Sequence, residues 1–126
     1  MFEHIDGFVR DRIVRLLNRF VSNHAAGRCW VAGEAGALRG YLLATYLFSL
    51  EFGGTIAEID ELYVLDQHRA EGLGTRLVQH AVAEMRRAGV VHLQLQLGSH
   101  NQSGRAFYGR LGFTVRPGYE LMGRSL

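Results

Sequence analysis

The spacing of apolar positions changes several times along the chain. In residues 7–25, GFVRDRIVRLLNRFVSNHA, the apolar side chains Val9, Ile13, Leu16, Leu17, Phe20 and Val21 recur with the 3.6-residue period of a helix. Arg10, Asp11, Arg15, Asn18, Arg19 and Ser22 fill the other face, as expected of a solvated surface, and Gly27 is the expected stop. Three strand-like runs follow: CWVAGE (29–34), LRGYLLATYLFSL (38–50) and TIAEIDELYVL (55–65). Ala35-Gly36 and Gly53-Gly54 are turn signals between them, so the three runs predict an antiparallel meander.

The helical period then returns. Leu73, Leu77, Val78, Ala81, Val82, Met85 and Ala88 mark one buried face, with Gly89 as the cap. VVHLQLQL (90–97) alternates like a half-buried strand. A short helix over about 102–110 follows, and FTVR (113–116) and YELMGRSL (119–126) read as a last pair of short strands around Pro117. Strand 55–65, helix 72–88 and strand 90–97 form a β-α-β crossover, which is right-handed and parallel by rule. The expected fold is therefore mixed α/β, in a single domain spanning residues 1–126.

Composition narrows the function classes. The formal net charge of +2 is too small to argue for a nucleic-acid partner. All 14 cationic residues are arginine. Cys29 is the only cysteine and cannot form an internal disulfide; its apolar neighbours mark it as a strand residue. No run approaches the roughly 20 apolar residues of a membrane span, and MFEHIDGFVRDR lacks the core of a signal peptide. These features point to a cytoplasmic protein without a membrane partner. The six histidines show no metal-ligand spacing, so no metal is expected.

The chemistry is concentrated in QHRAEGLGTRL, residues 67–77. A helix opening at Gly72 presents unpaired N–H groups and the positive end of its dipole, a place for phosphate. Without a Cβ, Gly72 and Gly74 let a diphosphate approach the main chain, and Arg69 adds positive charge. A P-loop requires a lysine, which the chain lacks. A dinucleotide fingerprint requires a third glycine where Leu77 stands, and an acidic residue where VVHLQLQLG runs.

Arg69-x-x-Gly72-x-Gly74 follows a strand ending ELYVL and precedes a helix, a strand and NQSGRAFYGRLGF (101–113). In this order, ELYV, RAEGLG and the pattern Asn101, Ala106, Phe107, Tyr108, Leu111, Gly112 and Phe113 resemble the core motifs of the GNAT superfamily of acyl-CoA-dependent N-acetyltransferases. The resemblance covers roughly residues 28–126. It implies a mostly antiparallel mixed sheet with a central splayed parallel strand pair, here 55–65 and 90–97, and helices on both faces. The family's opening strand and one helix have no counterpart before CWVAGE, where a single helix stands. The family's proline after YV is replaced by Leu65-Asp66, and its first loop glycine by Ala70.

The resemblance also implies a site. Acetyl-CoA would lie between the splayed strands, its pantetheine arm against main-chain groups of Leu62, Tyr63 and Val64. Its diphosphate would rest on the loop of Arg69, Ala70, Glu71, Gly72, Leu73, Gly74 and Thr75. Asn101 would contact the co-substrate, and Tyr108 would stand beside its sulfur as proton donor. His68, Arg76, Arg105 and Arg110 are weaker candidates at its edge and 3′-phosphate; Phe107, Leu111 and Phe113 are assigned to packing.

An alkylamine has a pKa near 10, so freeing it for attack at pH 7 costs about 4–5 kcal/mol, and a carboxylate can take the proton. The N–H of Val64 would meet the developing oxyanion. Three carboxylates precede the loop; regular alternation puts Glu58 and Asp60 on one strand face and Glu61 on the other. By the resemblance Asp60 is the first choice as base, Glu58 the second, and Glu61 a substrate contact. The acidic trio favours a small cationic primary amine as acceptor, with a protein amine the alternative. A homodimer is expected from the family. The competing classes are an acyl-CoA-binding module without turnover and a nicotinamide-dinucleotide domain, the latter disfavoured by the missing glycine and acid.

Overall fold

The computed structural model describes residues 7–34 and 37–126, with side chains for 14–34 and 37–126. The Ala35-Gly36 turn lies outside the described residues. The chain divides into two compact units, Met1–Gln96 and Leu97–Leu126.

The first unit holds a helix α1 (Gly7–Val21), strands β1 (Gly27–Glu34), β2 (Ala37–Ser49) and β3 (Gly54–Val64), helix α2 (Leu73–Arg87) and strand β4 (His92–Leu95). The four strands form one sheet in the order β1-β2-β3-β4. The first two pairings are antiparallel and β3-β4 is parallel, as the meander and crossover predict. The connection from β2 to β3 is longer than a two-residue hairpin. Gly53 takes φ 79° and donates to Ser49 O, while Phe52 N donates to Ser49 Oγ. Gly27 does not stop α1, which ends at Val21; it opens β1.

Residues directly opposite one another on antiparallel strands share a face. Trp30, Leu42 and Leu62 therefore form one cross-strand row, and Arg28, Ala44 and Ile59 its neighbour. These rows face α2, because the Trp30 indole N–H donates to Glu84 of that helix at 2.6 Å. The bond holds the Glu84 carboxyl below its ordinary pKa. Leu73, Leu77, Val78, Ala81 and Met85 are the buried stripe of α2, and Leu42 and Ala44 are fully enclosed beneath it. The helix closes on a left-handed Gly89, with Gly89 N bonded to Arg86 O and Val90 N to Met85 O, a Schellman arrangement.

The second unit contains one helix, α3 (Gln102–Arg110). Asn101 caps it by accepting from Gly104 N at 2.9 Å. The expected strands 113–116 and 119–126 are absent. Val115, Tyr119, Leu121 and Met122 are exposed, so no partner surface rewards their alternation. The β4 strand is likewise shorter than the 90–97 alternation suggests.

Leu42→Ala is expected to lower the unfolding free energy by about 2–5 kcal/mol, read as a lower urea midpoint. An unchanged midpoint would contradict the enclosure of Leu42 under α2.

Candidate functional site

The site begins with an irregularity in β3. Leu43 pairs with Glu61, but the next residue, Ala44, pairs with Ile59. Asp60 is thus an extra residue, a β-bulge. Regular alternation would have sent Glu61 toward α2 with Ile59. The bulge sends it to the opposite face, where Glu61 shares a row with Leu43 and Cys29, and Glu58 pairs with Thr45. Glu58 and Glu61 therefore share a face, which corrects the assignment of Glu58 and Asp60 to a common face. Asp60 is exposed at the bulge itself.

The bulge also decides where main-chain groups point. Leu65 N donates to Arg39 O, which makes Gly40–Val64 and Leu42–Leu62 the non-hydrogen-bonded pairs of the β2-β3 ladder. The N–H and C=O of Leu62 and Val64 are directed away from β2. On that side β4 pairs with β3 only from Ile56 to Ile59. Beyond Ile59 the inner edge of β3 has no strand partner among the described residues. Tyr63 differs from its neighbours: its main chain is directed at Tyr41 on β2, so it is not a free edge position.

Past β3 the chain makes a 3-10 turn, Asp66–His68, and enters the glycine loop. Ala70 adopts φ 68° and Gly72, the N-cap of α2, φ 78°. In the loop and first turn, no N–H of residues 70–75 donates a hydrogen bond to the described residues; the first donor of the helix is Arg76, to Gly72 O. A row of unengaged N–H groups with left-handed residues in it forms an anion-binding concavity at a positive helix end. A side chain at Gly72 would meet no atom but would be strained by its φ.

Arg69 is held close by. Its Nε donates to Val64 O at 3.0 Å, its Nη1 lies 2.7 Å from Asp66, and its guanidinium sits 5.7 Å from the Tyr63 ring centre. His68 is half-buried, its Nδ1 3.4 Å from Glu71. Arg76 is exposed and donates weakly to Glu71 O.

Among the carboxylates, Glu58 Oε1 accepts from Gln94 of β4 at 3.0 Å. Glu61 is half-buried, and its Oε1 is enclosed without a hydrogen-bond partner among the described residues. Burial raises its pKa; the nearby Tyr41 hydroxyl partly opposes this, and the neighbouring Asp60 charge adds to the rise. Tyr41, next to Glu61 on that face, is itself raised by burial and by the Glu61 charge, and its ring lies 5.9 Å from that of Tyr63. Sequence alternation alone missed Tyr41; only its pairing with Tyr63 brings it beside Glu61.

In the second unit, Tyr108 is half-buried between Phe107 and Phe113, with ring centres at 5.0 and 5.4 Å. Burial raises its hydroxyl, so it stays protonated and able to donate. Asn101 Oδ1 is engaged in the α3 cap, accepting from Gly104 N and Ser103 Oγ. Arg105 and Arg110 are exposed. Among the described residues no cluster of His, Cys, Asp and Glu is arranged to hold a metal ion, and no helix is long and apolar enough to cross a membrane.

Known proteins resemble this chain in sequence and fold. The family model for Acetyltransferase (GNAT) family matches residues 3–113. A 5-NmdU N-acetyltransferase of Pseudomonas phage PaMx11 is 32% identical over 109 residues, covering 85% of this chain and 72% of the relative. An integron cassette protein from the mobile metagenome of Cole Harbour Salt Marsh superposes with a TM-score of 0.79 at 27% identity, over 93% of this chain and 71% of that one. The fold is also that of a possible acetyltransferase from Clostridium difficile 630, with a TM-score of 0.84 at 17% identity over 98% and 80% of the two chains. The chain belongs to the GNAT family of acetyltransferases.

Two outcomes follow from the site's geometry. Ala70→Gly is expected to stabilise the protein by about 1 kcal/mol in denaturant unfolding, because a left-handed alanine is strained and glycine is not. Glu61 is raised above 4.5 on folding, so its ionised form is disfavoured in the native state. The resulting destabilisation is absent at pH values where both states are protonated. It grows as pH rises from the unfolded value to the native one, and is complete above that. Glu61→Gln is expected to flatten the stability-pH curve over that window and to raise stability at pH 7. A wild-type-like slope in the variant would refute the shift.

Proposed function

We propose that the protein transfers an acetyl group from acetyl-CoA to a primary amine by direct attack, with both substrates bound together. The observation that carries this reading is a pair of main-chain stretches directed away from strand and helix partners: Leu62 and the Val64 N–H at the inner edge of β3, and the N–H groups that open α2. Leu62 and Val64 offer strand-like bonds to an amide-bearing arm, and the N–H groups of residues 70–75 offer a cradle of diphosphate size. The donor set therefore fits coenzyme A. The name of the phage relative supports nitrogen as the acceptor atom.

Bound acetyl-CoA would supply an acyl group already activated as a thioester. The protein's residues do the rest. Leu62 and Val64 hold and align the arm, and the Val64 N–H faces the side where negative charge develops on the carbonyl oxygen. Arg69 holds Val64 O, which fixes that peptide's orientation. A carboxylate accepts the amine proton, directly or through water. Glu61 suits that task better than Asp60, because its raised pKa brings it nearer to neutral while Asp60 lies exposed. Glu58 and Glu61, on one face, attract a cationic acceptor. The family resemblance assigns Tyr108 the role of proton donor to the leaving sulfur.

The test is thiol release from acetyl-CoA with a panel of primary amines. Turnover is expected with at least one of them, and Glu61→Gln should lower kcat roughly 10²–10³-fold with little change in coenzyme affinity. Tyr108→Phe should lower kcat while calorimetric CoA affinity stays within about twofold. Coenzyme binding without thiol release would favour a binding module. No binding at all would remove the proposal.

A further inference from the structure

Glu61 shares its face with a side chain that has no place in the scheme above. The β3 bulge sets Glu61 opposite Leu43, and the neighbouring β2 residue on that face is Tyr41, itself paired with Tyr63. Tyr41 and Glu61 are therefore diagonal cross-strand neighbours, a separation that long side chains span. In an unbroken register the two would lie on opposite sides of the sheet. Tyr41 is fixed in place: it sits on an inner strand, between Val31 of β1 and Tyr63 of β3, and is only 9% exposed. Its ring lies 5.9 Å from that of Tyr63, tilted by 41°. Its hydroxyl oxygen and Glu61 Oε1 are both enclosed. A hydroxyl on a side chain so held limits the orientations open to a carboxyl lying near it.

Two influences act on Glu61 in opposite directions. Desolvation favours its neutral form, and the Tyr41 hydroxyl favours the charged one. A base needs both: a proton affinity above that of an exposed carboxylate, and a proton-free form at neutral pH. Burial and the Glu61 charge keep the Tyr41 hydroxyl protonated well past neutral pH, so it presents a proton to the carboxylate rather than a second negative charge. Among the described residues this face also carries the titratable groups Glu58, Tyr63 and Cys29, with His92 on β4 and Asp60 at the bulge. Arg15 and Arg19 of α1, which packs on β1, are exposed. The Asp60 charge works against ionisation of Glu61, and Tyr41 works for it.

We propose that Tyr41 is a positioning residue for acetyl transfer: its hydroxyl orients the Glu61 carboxylate and keeps it ready to take the amine proton. The inference rests on the reading of Glu61 as the base. It is tested on the full chain with Tyr41→Phe, which keeps the ring and its packing. The Glu61 titration is followed directly by NMR of isotope-labelled side-chain carboxyls, its signal assigned by its loss in Glu61→Gln. In Tyr41→Phe the midpoint is expected to move to higher pH. The acid limb of the kcat profile should move up with it, lowering kcat about tenfold on that limb, while KM for acetyl-CoA stays within about twofold. In a Glu61→Gln background the same change should alter kcat by less than about twofold, because its effect runs through Glu61. A mere loss of packing would instead lower the rate at every pH and leave the limb in place. An unmoved carboxyl midpoint, an unmoved limb, or additive losses in the double variant would each overturn the inference and leave Glu61 as the base. Wild-type turnover by Glu61→Gln would remove the base itself, and the role of Tyr41 with it. The carboxyl titration needs no turnover, so it tells the two failures apart.

Discussion

One unpaired residue in β3 governs this site. With Asp60 inserted between Ile59 and Glu61, every later residue of the strand changes face. Leu62 joins the row of Trp30 and Leu42 under α2, where an apolar side chain is stabilised by burial. Glu61 moves to the opposite face beside Tyr41. Without the bulge a carboxylate would be buried against α2 and a leucine exposed, a costly exchange on both counts. The same insertion turns the main chain of Leu62 and Val64 away from β2, at the point where β4 ceases to pair. Face, electrostatics and edge are thus three consequences of one register change.

The loop that follows depends on local backbone conformation rather than on side chains. Its working groups are N–H donors, and left-handed residues keep them from being consumed by a regular turn. Here an alanine occupies one left-handed position, so the loop holds its shape against a modest strain. Positive charge at the loop is partly spoken for: Arg69 is braced by Asp66 and by Val64 O, which ties the loop to the end of β3. Binding of an anion would compete with Asp66 for that guanidinium.

The carboxylates show why residue type alone does not assign roles. Glu58, Asp60 and Glu61 are adjacent in sequence, yet each has a different environment. Glu58 is engaged by Gln94, Asp60 is exposed, and Glu61 is half-buried with a tyrosine beside it. Glu61 combines partial desolvation with a tyrosine neighbour and a raised pKa, the condition under which a carboxyl approaches the proton affinity that base catalysis needs. Tyr108 gains its raised pKa by burial among aromatic rings, which suits a donor rather than a nucleophile.

Much of this was legible in the amino-acid order. Hydrophobic period located α1, the three-strand meander, α2 and α3, because each element has one buried face and repeats at its own spacing. The glycine loop was legible because few residues tolerate left-handed conformations at a helix entrance. What the order of residues left open was decided by long-range pairing. The bulge, the shared face of Glu58 and Glu61, the closeness of Glu61 to Tyr41, and the end of β3-β4 pairing at Ile59 all depend on which residue stands opposite which. Alternation assumes an unbroken register and so misplaced Glu61. The tail strands failed for a related reason: an alternating pattern becomes a strand only where a neighbour supplies bonds and cover, and residues 113–126 have none among the described strands.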